Sequence, residues 1–291
     1  ASTLDQYDVV QGHPANWVPC CIYSLVLSIV TLDGLMEDER FPLLWQMSSS
    51  ERLTVIALLD QIRPQLSLEI GTYRGGSLQV LSHFSQRVLS VDVRPEVPIE
   101  LAGRFSNVAF HTGNSSEVLP QVVSELNRNR ITPGFILIDG THSTEGVRTD
   151  INSVLGLKPT KEVVVLLHDS FNPGCRQVMR DAARHECPYV HEVELDFVPG
   201  NLSPQGSEQS MKGMMWGGFG CAILKPGPRE HDLVLQESYK ETFDAVFPVS
   251  VHALPEDPQP REQISLYQKG RGFARRVKGA VTARFRGWKV S

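Results

Sequence analysis

LSLEIGTYRGGS, Leu66 to Ser77, carries a short apolar run into a glycine-rich turn and out into a helix-like stretch. Leu66–Ile70 has the length and composition of a strand covered on both faces, and it halts at Gly71. Ser77–Phe84 then reads as a helix. Gly71, Gly75 and Gly76 let the backbone approach a ligand closely, and the helix behind them offers free N–H groups. A dinucleotide fingerprint spaces its glycines G-x-G-x-x-G; here the order is G-x-x-x-G-G, and that motif is absent. Glu69 stands two residues before the first glycine, where an acid repels phosphate and suits a cationic amino group.

The alternation continues downstream. Val88–Val91 ends at Asp92, Val108–His111 is followed by Gly113, Phe135–Ile138 ends at Asp139, and Val163–Leu167 ends at His168 and Asp169. Ser116–Leu126 and Thr144–Leu155 read as helices between them. Short apolar strands alternating with helices indicate a parallel sheet covered on both faces. Ligands of such sheets bind at the carboxyl ends of the strands. Asp and Gly also simply begin turns, but four such ends in succession favour a site. His191–Val198 and Phe219–Leu224 read as a final antiparallel pair at the sheet edge.

Composition sets the frame. In 291 residues, 41% hydrophobic and 21% charged content is that of a globular chain with a sizeable core. The five cysteines, Cys20, Cys21, Cys175, Cys187 and Cys221, have no disulfide or zinc spacing, which reads as a reduced, cytoplasmic protein. Val18–Val30 is apolar but short for a membrane span and reads as a buried helix. Net charge is −5 and unevenly spread: residues 261–291 hold nine Lys or Arg against one Glu. Phe273, Val277, Val281, Phe285 and Trp288 share one helical face there. With Arg275, Arg276, Lys278, Arg284, Arg286 and Lys289 mostly off it, 273–289 reads as a basic amphipathic helix. It suits either an anionic membrane surface or docking on an acidic body or partner.

EIGTYRGGS with Asp92 about twenty residues on, then LIDGTHSTEGVRTD and LLHDS, resembles the class I S-adenosylmethionine-dependent methyltransferases. Within them it resembles the branch of sugar and natural-product O-methyltransferases and cephalosporin hydroxylase-like proteins. The resemblance covers roughly 55–226. It implies an α/β, Rossmann-like, doubly wound, mostly parallel seven-stranded sheet with an antiparallel last strand. N-terminal helices and a C-terminal basic helix flank it. The expected units are an N-terminal helical extension over 1–54, a catalytic domain over 55–226, and a wrapping segment with the basic tail over 227–291.

The resemblance also implies roles. Glu69 and the Gly71 loop would hold the methionine part of S-adenosyl-L-methionine, with Thr72, Tyr73, Gly75 and Ser77 as loop contacts. Asp92 would accept from the ribose hydroxyls, and Asn114 and Ser115 would meet the adenine. Asp139, also beside the cofactor, would bind a divalent metal, usually magnesium, with Asp169, and His142 would be the general base. His168 departs from the pattern: it stands where relatives carry a second acid, and imidazole suits other metals better than magnesium. His168 is a third candidate ligand, a second base, or a residue that orients the substrate. Asp150 reads as structural, as do His83, His111, His185, His191, His231 and His252.

The expected acceptor is a sugar or glycosylated small molecule, covered by Met211, Met214, Met215 and Trp216 in the loop Gly200–Gly218. No nucleic-acid partner is expected; a homo-oligomer is compatible with the chain. Two other readings stand beside the O-methyltransferase: a hydroxylase-like enzyme with a redox metal, and a non-catalytic cofactor-binding scaffold.

Overall fold

The computed structural model describes residues 40–182, 186–203 and 212–253. The expected helix over Val18–Val30 and basic helix over 273–289 lie outside the described residues, as do Met211 and His185.

Helix α1 (Ser49–Ile62) opens with a capping box. The Ser48 hydroxyl accepts from the Glu51 N–H, and the Glu51 carboxylate accepts from the Ser48 N–H. Arg63, in the left-handed region, ends the helix just before Pro64. Then β1 (Leu66–Ile70), α2 (Gly76–Phe84), β2 (Arg87–Asp92), the short α3 (Val97–Glu100), β3 (Val108–Thr112) and α4 (Ser115–Arg128) follow in turn. They lead into β4 (Phe135–Ile138), α5 (Thr144–Leu155), β5 (Val163–His168) and α6 (Pro173–Asp181). After these come β6 (Val190–Val198), a small hairpin of β7 (Asn201–Leu202) and β8 (Met215–Trp216), β9 (Phe219–Leu224), β10 (Leu235–Gln236) and α7 (Lys240–Val246).

The main sheet has the order β10-β6-β9-β5-β4-β1-β2-β3. Only β9 runs antiparallel, between β5 and β6. The expected seven strands are present. An eighth, β10, pairs parallel to β6 from a stretch read as wrapping segment. Its two residues carry no alternating pattern that sequence could show.

Period-2 alternation divides the core. Ile136 and Ile138 of β4 face one hydrophobic cluster with residues of α4, α5 and α6, such as Leu119, Ile151 and Val178. Phe135 and Leu137 face the other, with α1 and α2 residues such as Val55, Leu59, Leu78 and Leu81. Both faces of β1 and β4 are buried; β4 is accordingly apolar throughout, while β1 buries Ser67 and Glu69 between its apolar residues. The boundary expected at 54/55 falls inside α1.

This topology creates the site. From β1 the chain moves outward through β2 and β3, then returns to place β4 and β5 on the other side. The crevice at the carboxyl ends of β1 and β4 is therefore a switch point, where open α/β sheets bind ligands.

Candidate active site

The turn after β1 is held from below and from the side. Glu69 is fully buried. Its carboxylate accepts from the Ser77 hydroxyl at 2.6 Å and the Thr72 hydroxyl at 2.8 Å. Burial, opposed by these two hydroxyls and joined by repulsion from Asp139 and Asp92, pushes Glu69 up to about 8. The shift favours the protonated carboxyl near neutral pH, and both of its oxygens are engaged by the loop's own hydroxyls. Thr72 and Ser77 are also buried, and Gly75, not Ser77, is the N-cap of α2. Tyr73 is exposed, with Arg94 over its ring at 5.4 Å.

Asp92, at the end of β2, accepts from the backbone N–H groups of Thr72 (2.9 Å) and Tyr73 (2.7 Å) through one oxygen and Arg94 (2.8 Å) through the other. It ties the glycine loop to the next strand. A carboxylate offers about four acceptor positions, and the half-buried Asp92 retains room for a further donor. Asn114 is exposed and caps α4, accepting from Ser116 N. Ser115 is half-buried and faces the fully buried Asp150 of α5, whose carboxyl burial raises to about 6.

Gly71, at φ +89°, touches the next strand end: a Cβ there would stand 2.0 Å from the Asp139 carbonyl oxygen. The glycine loop and Asp139 therefore adjoin. His142 precedes Ser143, the true N-cap of α5, so capping does not explain the histidine. His142 Nδ1 lies 2.6 Å from Asp169 Oδ2, and the ring is about half exposed. Burial would lower the imidazole pKa, but the hydrogen bond and charge of Asp169, with Asp139 behind it, leave it raised. Burial would likewise raise Asp169, but His142, His168 and the Gly217 N–H hold it below the ordinary carboxylate range.

Asp169 occupies the left-handed region at φ +60°. For a residue other than glycine this persists where surroundings over-determine it, characteristically at functional sites. The surroundings are the two glycines ahead of β9. Gly217 N donates to Asp169 Oδ1 at 2.8 Å, and Phe171 N donates to Gly217 O at 3.0 Å.

His168 is the surprise of the site. It stands among three carboxylates: Nδ1 is 2.8 Å from Asp139 Oδ1 and 3.5 Å from Asp169 Oδ1, and Nε2 is 3.2 Å from Glu51 Oε1. Burial would depress its pKa; Asp139, Glu51 and Asp169 together hold it well above the ordinary value. Despite these distances neither ring nitrogen makes a well-directed hydrogen bond among the described residues. Asp139, His168 and Asp169 each offer one ligand atom, all within 4.8 Å of one another. A crevice of about 10 Å³, the room of roughly one water or ion, is lined by Asp139, His142, His168 and Cys175 among others. Trp216 sets its ring edge-to-face against His142 at 5.4 Å, and its indole N–H is buried without a partner among the described residues.

Glu51 escaped the reading of the sequence. Ser48-Ser49-Ser50-Glu51 is a legible capping-box pattern, yet it signals only a helix start. The second use of the same carboxylate depends on a contact with Gly218, 167 residues away.

Among the described residues no helix is long and apolar enough to cross a membrane. No curated protein matches the chain. Solved structures of similar shape include cofactor-bound Rv0187 from MTB (17% identity, 75% of this chain and 99% of that one, TM-score 0.46). Another is a Bacillus cereus O-methyltransferase with SAH (15%, 71% and 97%, 0.47). A third is TomG from Streptomyces achromogenes, an O-methyltransferase with SAM (16%, 72% and 96%, 0.46). Likenesses this distant say nothing of an acceptor. Residues 68–170, however, match the family model described as a methyltransferase domain. That span runs from β1 through the end of β5 and holds Glu69, Asp92, Asp139, His142, His168 and Asp169. Over residues 68–170 the chain is thus similar to a methyltransferase domain.

Proposed function

We propose that the chain is an O-methyltransferase that moves a methyl group from S-adenosylmethionine to a hydroxyl of a sugar or glycosylated natural product. The observation that carries this reading is the His142–Asp169 pair, 2.6 Å apart at the strand ends beside the glycine loop. Asp169 fixes the imidazole through Nδ1 and leaves Nε2 to take the acceptor's proton. The acceptor oxygen attacks the sulfonium methyl: an O–CH3 bond forms, the S–CH3 bond breaks, and S-adenosylhomocysteine leaves. Holding the two reactants in line supplies much of the acceleration.

On the cofactor side, Asp92 accepts from the ribose hydroxyls, and the Gly71–Gly75 turn lies against the methionine part. Asn114 and Ser115 stand at the adenine edge. Glu69, Thr72 and Ser77 act beneath the turn by shaping it. On the acceptor side, Trp216 offers an aromatic face and an unpaired N–H, a combination suited to a sugar ring with hydroxyls at its rim.

A divalent metal fits the remaining residues, Asp139, His168 and Asp169, because the buried His168 ring turns an undirected nitrogen toward both acids. When bound it supplies a Lewis acid that makes the acceptor hydroxyl easier to deprotonate.

Methyl transfer to a panel of sugars and glycosides tests the reading. His142→Ala is expected to lose roughly 10²–10⁴-fold in turnover while binding S-adenosylmethionine like the wild type. Unchanged turnover would remove His142 from the chemistry.

A further inference from the structure

We propose that this site selects a transition-type divalent cation, with Mn²⁺ as the probe, over Mg²⁺, and that Glu51 is the positioning residue that makes His168 its nitrogen ligand. The inference rests on the metal reading above and adds to it a residue from α1, outside the family-matched span.

The ring of His168 is sided. Nδ1 faces Asp139 and Asp169, the oxygen donors, and Nε2 faces Glu51. With a carboxylate beside the far nitrogen to hold one proton, an ion at the near nitrogen displaces the other and takes its lone pair. Histidine ligands are oriented in this way by an outer carboxylate. The ring cannot turn freely to exchange its nitrogens: its side chain is 9% exposed, and Phe219 packs against it at 5.3 Å.

Glu51 is itself immobilised. One oxygen accepts from the Ser48 N–H, the other from the Gly218 N–H, each at 2.5 Å. A Cβ on Gly217 would stand 2.8 Å from that second oxygen, so the glycine there leaves the carboxylate its place. A capping-box acid normally rests on the helix surface, whereas Glu51 is 2% exposed with a histidine nitrogen beside it. The same carboxylate therefore serves the cap of α1, the Gly218 N–H and the far side of His168.

The metal preference follows from the donors. Magnesium demands near-ideal octahedral oxygen coordination, whereas an imidazole nitrogen favours the first-row transition ions. With Asp139 and Asp169 the set is one nitrogen and two carboxylates. An acid in place of His168 would make the set all-oxygen.

Calorimetric titrations of Mn²⁺ and Mg²⁺ into the full chain test this, with S-adenosylmethionine binding in each protein as the check that the domain is folded. The wild type should bind Mn²⁺ more tightly than Mg²⁺. Glu51→Gln should weaken Mn²⁺ by roughly 10–100-fold and Mg²⁺ by less. His168→Asp should lower the Mn²⁺/Mg²⁺ affinity ratio at least about tenfold. Glu51→Gln with unchanged Mn²⁺ affinity, or the same metal ratio in His168→Asp and wild type, would overturn the inference while leaving the metal reading standing. A wild type that binds S-adenosylmethionine but neither ion would overturn both.

Discussion

Glu69 shows how one buried side chain can brace the glycine loop from beneath. Its carboxyl would ionise near 4.5 in an unfolded chain and is pushed up to about 8 by burial in the folded one. Between those values the folded chain keeps a proton that the unfolded chain has lost. Its contribution to stability is full below about pH 4.5 and falls away as pH rises through about 8. Glu69→Gln keeps the uncharged shape and removes that dependence. Melting temperatures measured from pH 4.5 to 8 should therefore move progressively in the variant's favour relative to wild type, by several degrees at the upper end. A difference that stays constant across the range would mean that Glu69 is already charged in the folded chain.

Among the elements, the contact between the β1 turn and the end of β4 controls the site's geometry. Gly71 combines a left-handed backbone with a backbone atom where a Cβ would go, so no side-chain movement can relieve a substitution. Gly71→Ala should cost at least about 2 kcal/mol in denaturant unfolding and abolish cofactor binding. Wild-type stability in this variant would show that the two turns are free to separate. The strands were legible because burial on both faces leaves short, mostly apolar runs: Leu66–Ile70, Phe135–Ile138 and Phe219–Leu224 have the bounds expected of them. Their acid and glycine ends were legible for the same reason, since a polar residue stands out after such a run. The two-residue β10 was not, because its pairing is set by β6 and not by its own pattern. Thr72 and Ser77 flank the end of the turn, but the direction of their hydroxyls, inward to Glu69, depends on rotamers that spacing does not encode.

In the whole molecule, the family-matched span supplies the acid-ended strands, and elements outside it finish the site. Helix α1 contributes Glu51, and the turn before β9 contributes Trp216, Gly217 and Gly218. These parts meet because β9 inserts antiparallel beside β5, pairing Phe219 with His168. No local pattern in the sequence announces such a meeting, which brings a residue ahead of 55 to the strand ends. The most direct test of the central claim is a calorimetric titration of S-adenosylmethionine into the full chain and into Asp92→Ala. Saturable one-site binding by the wild type, weakened at least about tenfold in Asp92→Ala (roughly the 1.4 kcal/mol of one hydrogen bond to a charged group), is the expected result. A wild type that binds no S-adenosylmethionine, or a variant that binds it equally well, would contradict the placement of the cofactor at the ends of β1 and β2.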